Sequence, residues 1–225
     1  MRPLKISAIM QDGRIATTEP WLPLDSILSA AWIRKYHPEQ FYLPATTSNE
    51  IIIADLPLAK TGNTEDWAWS CSFNTIRPIT EYIMHWHKRF DDYREQYIDF
   101  RGKRGKIDAK AGKYKSYRMP LVVQIYDRLE WYAIGDIDKV KELCSMITHI
   151  GKKTSQGLGA VDHWEVIPWH EDWSLYCDNR LTRAIPITQE LRSGVEAITR
   201  QYGIRPPYWL SDNQRICYLP RLADG

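Results

Sequence analysis

The nine residues Gly151-Lys152-Lys153-Thr154-Ser155-Gln156-Gly157-Leu158-Gly159 hold three glycines, two lysines and three uncharged polar side chains. They close a stretch of helical spacing and open one of strand alternation, so the chain must turn here whatever surrounds it. Glycines admit positive φ and let a second backbone approach, while lysines, hydroxyls and free amides can all meet phosphate oxygens. The stretch reads as a phosphate-facing turn or as an ordinary glycine-rich helix end with solvated lysines. It is not a Walker loop, because Lys153 and Thr154 precede the last two glycines instead of following them. Nor is it the dinucleotide fingerprint, which opens a helix after a strand.

Where the charge lies says more than its total. The 225-residue chain has a formal net charge of +2, yet residues 101–118, RGKRGKIDAKAGKYKSYR, set eight Lys or Arg against the single Asp108. That segment is +7, which leaves −5 for everything else. It has no apolar period, so a long loop or β-ribbon projecting from the body is expected. Its glycines lend pliability, its cations neutralise phosphates, and Tyr114 and Tyr117 can stack on bases, a combination suited to single-stranded RNA or DNA. A solvated insertion is the other reading of such a segment. The ten Trp and thirteen Tyr suit interfaces and base stacking as well as cores.

Other classes are excluded more simply. No run reaches the ~18 apolar residues of a bilayer span. Met1-Arg2-Pro3-Leu4-Lys5 leads into an alternating, charged segment and not a signal h-region. A soluble, cytoplasmic protein with no membrane partner is expected. Cys71, Cys144, Cys177 and Cys217 lie far apart and form no CxxC pair, so reduced structural thiols are expected, with no metal and no cofactor.

Along the chain, residues 4–10 alternate as a strand, and Gln11-Asp12-Gly13 supplies a turn. Pro23 precedes a helix over residues 24–36, with Leu24, Ile27, Leu28, Ala31 and Lys35 at helical spacing and an end before Pro38. Ile51-Ile52-Ile53-Ala54 predicts a strand buried on both faces within residues 50–58. Residues 67–73 alternate large and small side chains as a further strand. Residues 80–97 read as a helix, with Tyr82, Ile83, Trp86, Phe90, Tyr93 and Tyr97 on one stripe and His85 outside it. A helix would not aim both His85 and His87, at i and i+2, at one ligand. Residues 120–134 return to strand character, as a hairpin turning near Asp127-Arg128. Asp136 N-caps a helix with Ile137, Val140, Leu143, Cys144 and Ile147 on one face, and Gly151 fits its left-handed C′ position. A strand over residues 160–168 follows, with Trp164 and Val166 turned to the core and His163 to the surface. The last 56 residues predict a helix at about 188–202, a break at Pro206-Pro207 and a short strand near 216–219.

With the basic segment and the 80–97 helix set aside, the order is βαββαβ, so the expected class is α+β, ferredoxin-like and RRM-like. A glycine-rich loop between the second helix and fourth strand of that unit resembles the signature of the RAMP superfamily of CRISPR-associated RNA-binding proteins. The residues that carry it are Gly151, Lys152, Lys153, Thr154, Ser155, Gln156, Gly157, Leu158 and Gly159, followed by AVDHWEV. The small-residue helix LDSILSAAW agrees with it, as does a long basic insertion where the superfamily often carries a thumb. Size and the order of features are most similar to the group that caps the five-prime handle of guide RNA, the Cas five group, in type IV effector complexes. The resemblance implies a RAMP domain over residues 1–169, with the inserted helix and basic loop at about 78–118. A C-terminal extension, residues 170–225, packs on it.

The resemblance also implies a non-catalytic, RNA-binding subunit that caps the backbone filament. Its partners are then the guide RNA, the backbone and large subunits, and target DNA near the handle. Gly151, Lys152, Lys153, Thr154, Ser155, Gln156, Gly157 and Gly159 would contact RNA from the loop. Arg101, Lys103, Arg104, Lys106, Lys110, Lys113, Tyr114, Lys115, Tyr117 and Arg118 would contact it from the basic segment. The alternative is a metal-independent endoribonuclease that processes repeat RNA, as some relatives do. It would need a general base, a general acid and a cation, with His85, His87 and Tyr114 as candidates beside Lys113, Lys115 or Tyr117. No spacing ties these into one site.

Overall fold

The computed structural model describes residues 1–17, 19, 21–41, 51–99, 105 and 107–221. In chain order its first half contains β1 (Arg2–Met10), β2 (Arg14–Ala16), α1 (Leu24–Tyr36), α2 (Pro38–Phe41), β3 (Lys60–Thr61), β4 (Ala68–Trp69) and β5 (Thr80–Lys88). Then come β6 (Tyr117–Ile125), β7 (Arg128–Gly135), α3 (Ile137–Ser145), β8 (Val161–Pro168), β9 (Tyr176–Cys177), β10 (Arg180–Leu181), β11 (Ile185–Pro186), β12 (Ala197–Gly203) and β13 (Gln214–Pro220).

One bent antiparallel ladder organises these elements. β1 pairs with β7 from Arg2↔Gly135 to Ile9↔Arg128, and beyond the bend β2 pairs with β6 from Arg14↔Ile125 to Ala16↔Val123. At the corner the Met10 amide donates to Asp127 O (3.1 Å) and the Tyr126 amide to Gly13 O (2.9 Å). Gln11 and Asp12 are therefore extra on one side, and such an insertion bends and twists a ladder. Before the corner the ladder belongs to the sheet β7-β1-β8, and after it to the sheet β2-β6-β5.

The first sheet carries the main core. Alternation puts Leu4, Ile6, Ala8 and Met10 on one face of β1, opposite Ala133, Trp131 and Leu129 of β7 and Val166 and Trp164 of β8. Leu24, Leu28 and Ala31 of α1 and Val140, Leu143 and Cys144 of α3 close over that face in a single cluster. Trp131 is fully buried at its centre. Its indole N–H donates to Leu22 O (2.8 Å), and its ring stacks on Trp164 at 5.8 Å. α3 starts as its sequence predicts, with the Asp136 carboxylate accepting from the amides of Asp138 and Lys139.

The far edge of β7 is covered by residues 70–75. The Ile134 amide donates to Ser70 O, and those of Ser72 and Thr75 donate to Tyr132 O and Glu130 O, all at 2.8–2.9 Å. The C-terminal strands β11-β13-β12 pack Ile204, Cys217 and Leu219 against Trp21 and Phe73. A buried ion pair ties them to α1. Arg183 and Asp25 are 1% and 0% exposed, and Arg183 Nη2 lies 2.7 Å from Asp25 Oδ2. Tyr208 donates to the other carboxylate oxygen at 2.7 Å. All four cysteines are free thiols, and burial pushes those of Cys144 and Cys217 up to about 12. No helix among the described residues is long and apolar enough to cross a membrane.

Five expectations are corrected. Residues 80–97 are not a helix but strand β5 and a 3₁₀ turn, Asp92–Tyr97. Thr, Tyr, Ile and Trp favour a pleated strand, and β5 pairs along the whole of β6, on the edge opposite β2. β6 and β7 are consecutive strands but not a hairpin, because each pairs with a different partner in a different sheet. Residues 51–57 form no regular strand: Ile51 and Ile53 are exposed, and only Ala54, Leu56 and Leu58 turn inward. Glu50 lies outside the described residues. No helix forms at 188–202; Gly194 sits at φ +78°, which ends any helix, and β12 pairs along β13 instead. Finally, the C-cap of α3 is Met146, so Gly151 lies beyond its C′ position.

Removing one member of a buried ion pair strands the other in low dielectric. Arg183→Met should cost ~3–5 kcal/mol in denaturant unfolding, against ~1–2 kcal/mol for Tyr208→Phe, which removes the bond to the same carboxylate and a longer one accepted from Arg183 (3.3 Å) but leaves the ion pair in place.

Candidate nucleic-acid interface

The glycine loop lies along β2, on the edge that β6 leaves open. The Lys152 amide donates to Ala16 O (2.7 Å) and the Gly159 amide to Arg14 O (2.6 Å), while Ile150 donates to Gly159 O (2.8 Å). Glycine is required where these backbones meet. A Cβ on Gly151 would stand 2.7 Å from Ala16 O, and one on Gly159 1.8 Å from Ile150 O. Between them Thr154–Gln156 form one 3₁₀ turn. Leu158 is buried against Ala16 of β2 and Val123 of β6, which pins the loop to the second sheet.

This geometry changes what the loop offers a ligand. The amides of Lys152, Gln156, Gly157 and Gly159 are engaged within the fold, so they do not cradle an anion as free loop amides would. The side chains of Lys152, Thr154, Ser155 and Gln156 are exposed. Lys153 is different. Its backbone is left-handed, φ 58° and ψ 34°, which costs a non-glycine residue ~1–2 kcal/mol. Its ammonium lies over the Trp86 ring, 3.4 Å from the centroid.

Trp86 belongs to the arm formed by β5 and the free part of β6. Pairing of Tyr82↔Val123, Met84↔Leu121, Trp86↔Met119 and Lys88↔Tyr117 puts these eight side chains on one face, and its inner end packs on Leu158. Farther out, Trp86 meets Tyr117 at 5.4 Å. Lys88 lies 5.5 Å over Tyr117 and donates to Lys113 O at 3.1 Å. Tyr114, in the 3₁₀ turn Gly112–Tyr114, packs edge-on against Phe90 at 5.1 Å. Lys110, Lys113, Lys115 and Arg118 are exposed along this end. Arg101, Lys103, Arg104 and Lys106 lie outside the described residues.

The opposite face of the arm carries Ile83↔Val122, His85↔Pro120 and His87↔Arg118. On a strand, residues i and i+2 point the same way, so the helical argument that separated His85 from His87 is reversed. Tyr117 falls on the other face, and Tyr114 is turned to Phe90. His163 is exposed on β8, with Nδ1 2.7 Å from Asp162 Oδ2, a hydrogen bond that raises its pKa.

Sequence reading missed Trp86 and Lys88 as parts of the interface, because a helical stripe counted Trp86 as a core residue. The alternation of Tyr82, Met84, Trp86 and Lys88 was the available signal. Among the described residues no cluster of three or more His, Cys, Asp or Glu is arranged to hold a metal ion.

A mixed helix and sheet body with a projecting basic arm is here the architecture of a CRISPR type IV associated protein. A family model of that description matches residues 2–220, and the chain belongs to that family, Csf3. Membership gives it a role in a type IV CRISPR effector complex. No curated protein matches the chain.

The loop's glycines should not be equivalent. Gly159→Ala must relieve both a backbone collision and a positive φ, and should cost more than about 3 kcal/mol. Gly157 has φ +81° but open space around its Cβ position, so Gly157→Ala should cost only ~1 kcal/mol. Comparison of their thermal midpoints with that of the native chain checks this order.

Proposed function

We propose that this Csf3-family chain is a non-catalytic RNA-binding subunit that holds the five-prime handle of a CRISPR guide RNA and caps the backbone of the effector complex. The observation that carries this reading is the meeting of arm and loop at one corner, where exposed Lys152, Thr154, Ser155 and Gln156 lie at the foot of a ribbon bearing Lys88, Lys110, Lys113, Lys115 and Arg118. Cations beside exposed aromatic rings suit an unpaired strand, with phosphates on lysines and bases on Tyr117.

A ferredoxin-like RAMP body is part of the same proposal. β8, β1, β7 and the ladder at residues 70–75 follow the spatial order of the fourth, first, third and second strands of βαββαβ, with α1 and α3 as its two helices. The body is then residues 1–169, the arm an insertion within 78–118, and residues 170–225 an extension. Backbone and large subunits flank it in the cytoplasm, and target DNA passes near the handle.

A second reading has one observation in its favour. His85 and His87 share a face with Arg118, and two imidazoles beside a guanidinium are parts that metal-independent RNA cleavage uses. Labelled repeat RNA incubated with the protein in EDTA should stay intact. A discrete product that disappears on changing both histidines to Ala would make the chain an endoribonuclease.

The binding reading is tested by anisotropy of labelled handle RNA across a salt series. Replacing Lys110, Lys113, Lys115 and Arg118 with Ala should make the slope of log K against log salt shallower by about 3, at ~0.7 per phosphate contact. Unchanged affinity, or native binding indifferent to salt, would overturn it.

A further inference from the structure

The arm touches the glycine loop at two points along its length. Near its foot, Val123, Met84 and Leu121 pack with Leu158. Two residues farther out along β5 than Met84, the partner of Leu121, the Lys153 ammonium sits on Trp86. At ~3.3 Å per strand residue the second contact is ~7 Å beyond the outer edge of the first. One contact leaves a two-stranded ribbon free to swing about its foot, whereas two so separated set its angle. A two-stranded ribbon is marginal by itself in water, so its direction depends on such outside contacts.

Lys153 is an unusual residue for this place. Three neighbouring loop positions with positive φ, 151, 157 and 159, are glycine, while 153 is a lysine at φ 58°. A glycine there would relieve the backbone, so the side chain must supply something that offsets the strain. Its visible contact is the face of Trp86, and a cation centred on an indole is a favourable pair.

We propose that Lys153 is a positioning residue: its ammonium, seated on Trp86, locks the basic arm at a set angle to the glycine loop, so that arm and loop present one continuous surface. The consequence for RNA rests on the binding reading above. With the angle set beforehand, less ordering accompanies binding and affinity gains. Lys153 then contributes to affinity chiefly through the arm, while Lys152, Lys113 and Lys115 meet the phosphates.

The test uses the full chain with Lys153→Met, which keeps the stem and removes the charge, Lys153→Gly, which also relieves the backbone, Trp86→Leu, and the Lys153→Met/Trp86→Leu pair. Hydrogen exchange of the free protein reports on the arm without RNA. Amides of residues 84–88, 117–119 and 121 should exchange at least several-fold faster in each variant, with β1 and β7 unchanged, and the double variant should be no worse than either single. Affinity for handle RNA should fall ~3- to 10-fold in all four, again without adding in the double, as expected for two ends of one contact. Unaltered arm exchange in both Lys153 variants would overturn the proposal. So would a loss of affinity on Lys153→Met that Trp86→Leu does not reproduce, which would make Lys153 a simple phosphate ligand. Failure of the native chain to bind handle RNA would reject the binding reading alone, because the exchange result stands without RNA.

Discussion

The corner at Gly13 and Tyr126 is the constraint on which the two halves of the molecule depend. Gly13 takes φ +75°, and a Cβ there would lie 2.6 Å from Tyr126 O, so two backbones cross at a separation that only glycine permits. Two mutually bonded chains turn together at this point, and Gln11 and Asp12 are the inserted residues that allow it. From one side of the bend comes a sheet covered by α1 and α3, and from the other a sheet whose outer part is solvated on both faces. Beyond the bend β6 and β5 pair as an exposed arm.

The same corner explains where the glycine loop ends up. β2 is three residues long and has β6 on one side, so its other edge is open to a backbone that can approach closely. Gly151 and Gly159 make that approach, and Leu158 fills the space beneath. The loop and arm meet because both are partners of β2, directly or through β6, although more than thirty residues separate Arg118 from Lys152 along the chain. A surface that combines exposed lysines, aromatic rings and a rigid foot follows from strand pairing alone. The ligand proposed above for such a surface is an unpaired RNA strand.

Legibility from sequence divides along lines of locality. β1, α1, α3 and β8 were readable because each writes its burial as a regular period: Leu4, Ile6, Ala8 and Met10 at two, Leu24, Leu28 and Ala31 near 3.6. The capping role of Asp136 was readable for the same reason, since a cap is satisfied within four residues. The arm was misread because Tyr82, Ile83, Trp86 and Phe90 satisfy a helical stripe while Tyr82, Met84 and Trp86 satisfy an alternating one. Such a segment is decided by its partner, and β6 lies about thirty residues away. The misreading at 188–202 had a local warning in Gly194. That at 51–57 had none, because a run of isoleucines has no period from which to learn which side chains face out.

By itself the sequence determined the α+β class, the concentration of positive charge in one segment, the turn at residues 151–159 and the two helices that cover the first sheet. All of these rest on composition or on interactions closed within a few residues. Tertiary structure alone decided that residues 80–88 are strand, that His85 and His87 point the same way, that the loop amides are engaged by β2, and that Lys153 turns onto Trp86. Each of these depends on which distant backbone supplies the hydrogen-bond partner or the neighbouring face. The loop and the arm, far apart in the chain, meet across β2 and β6, beyond the corner at Gly13.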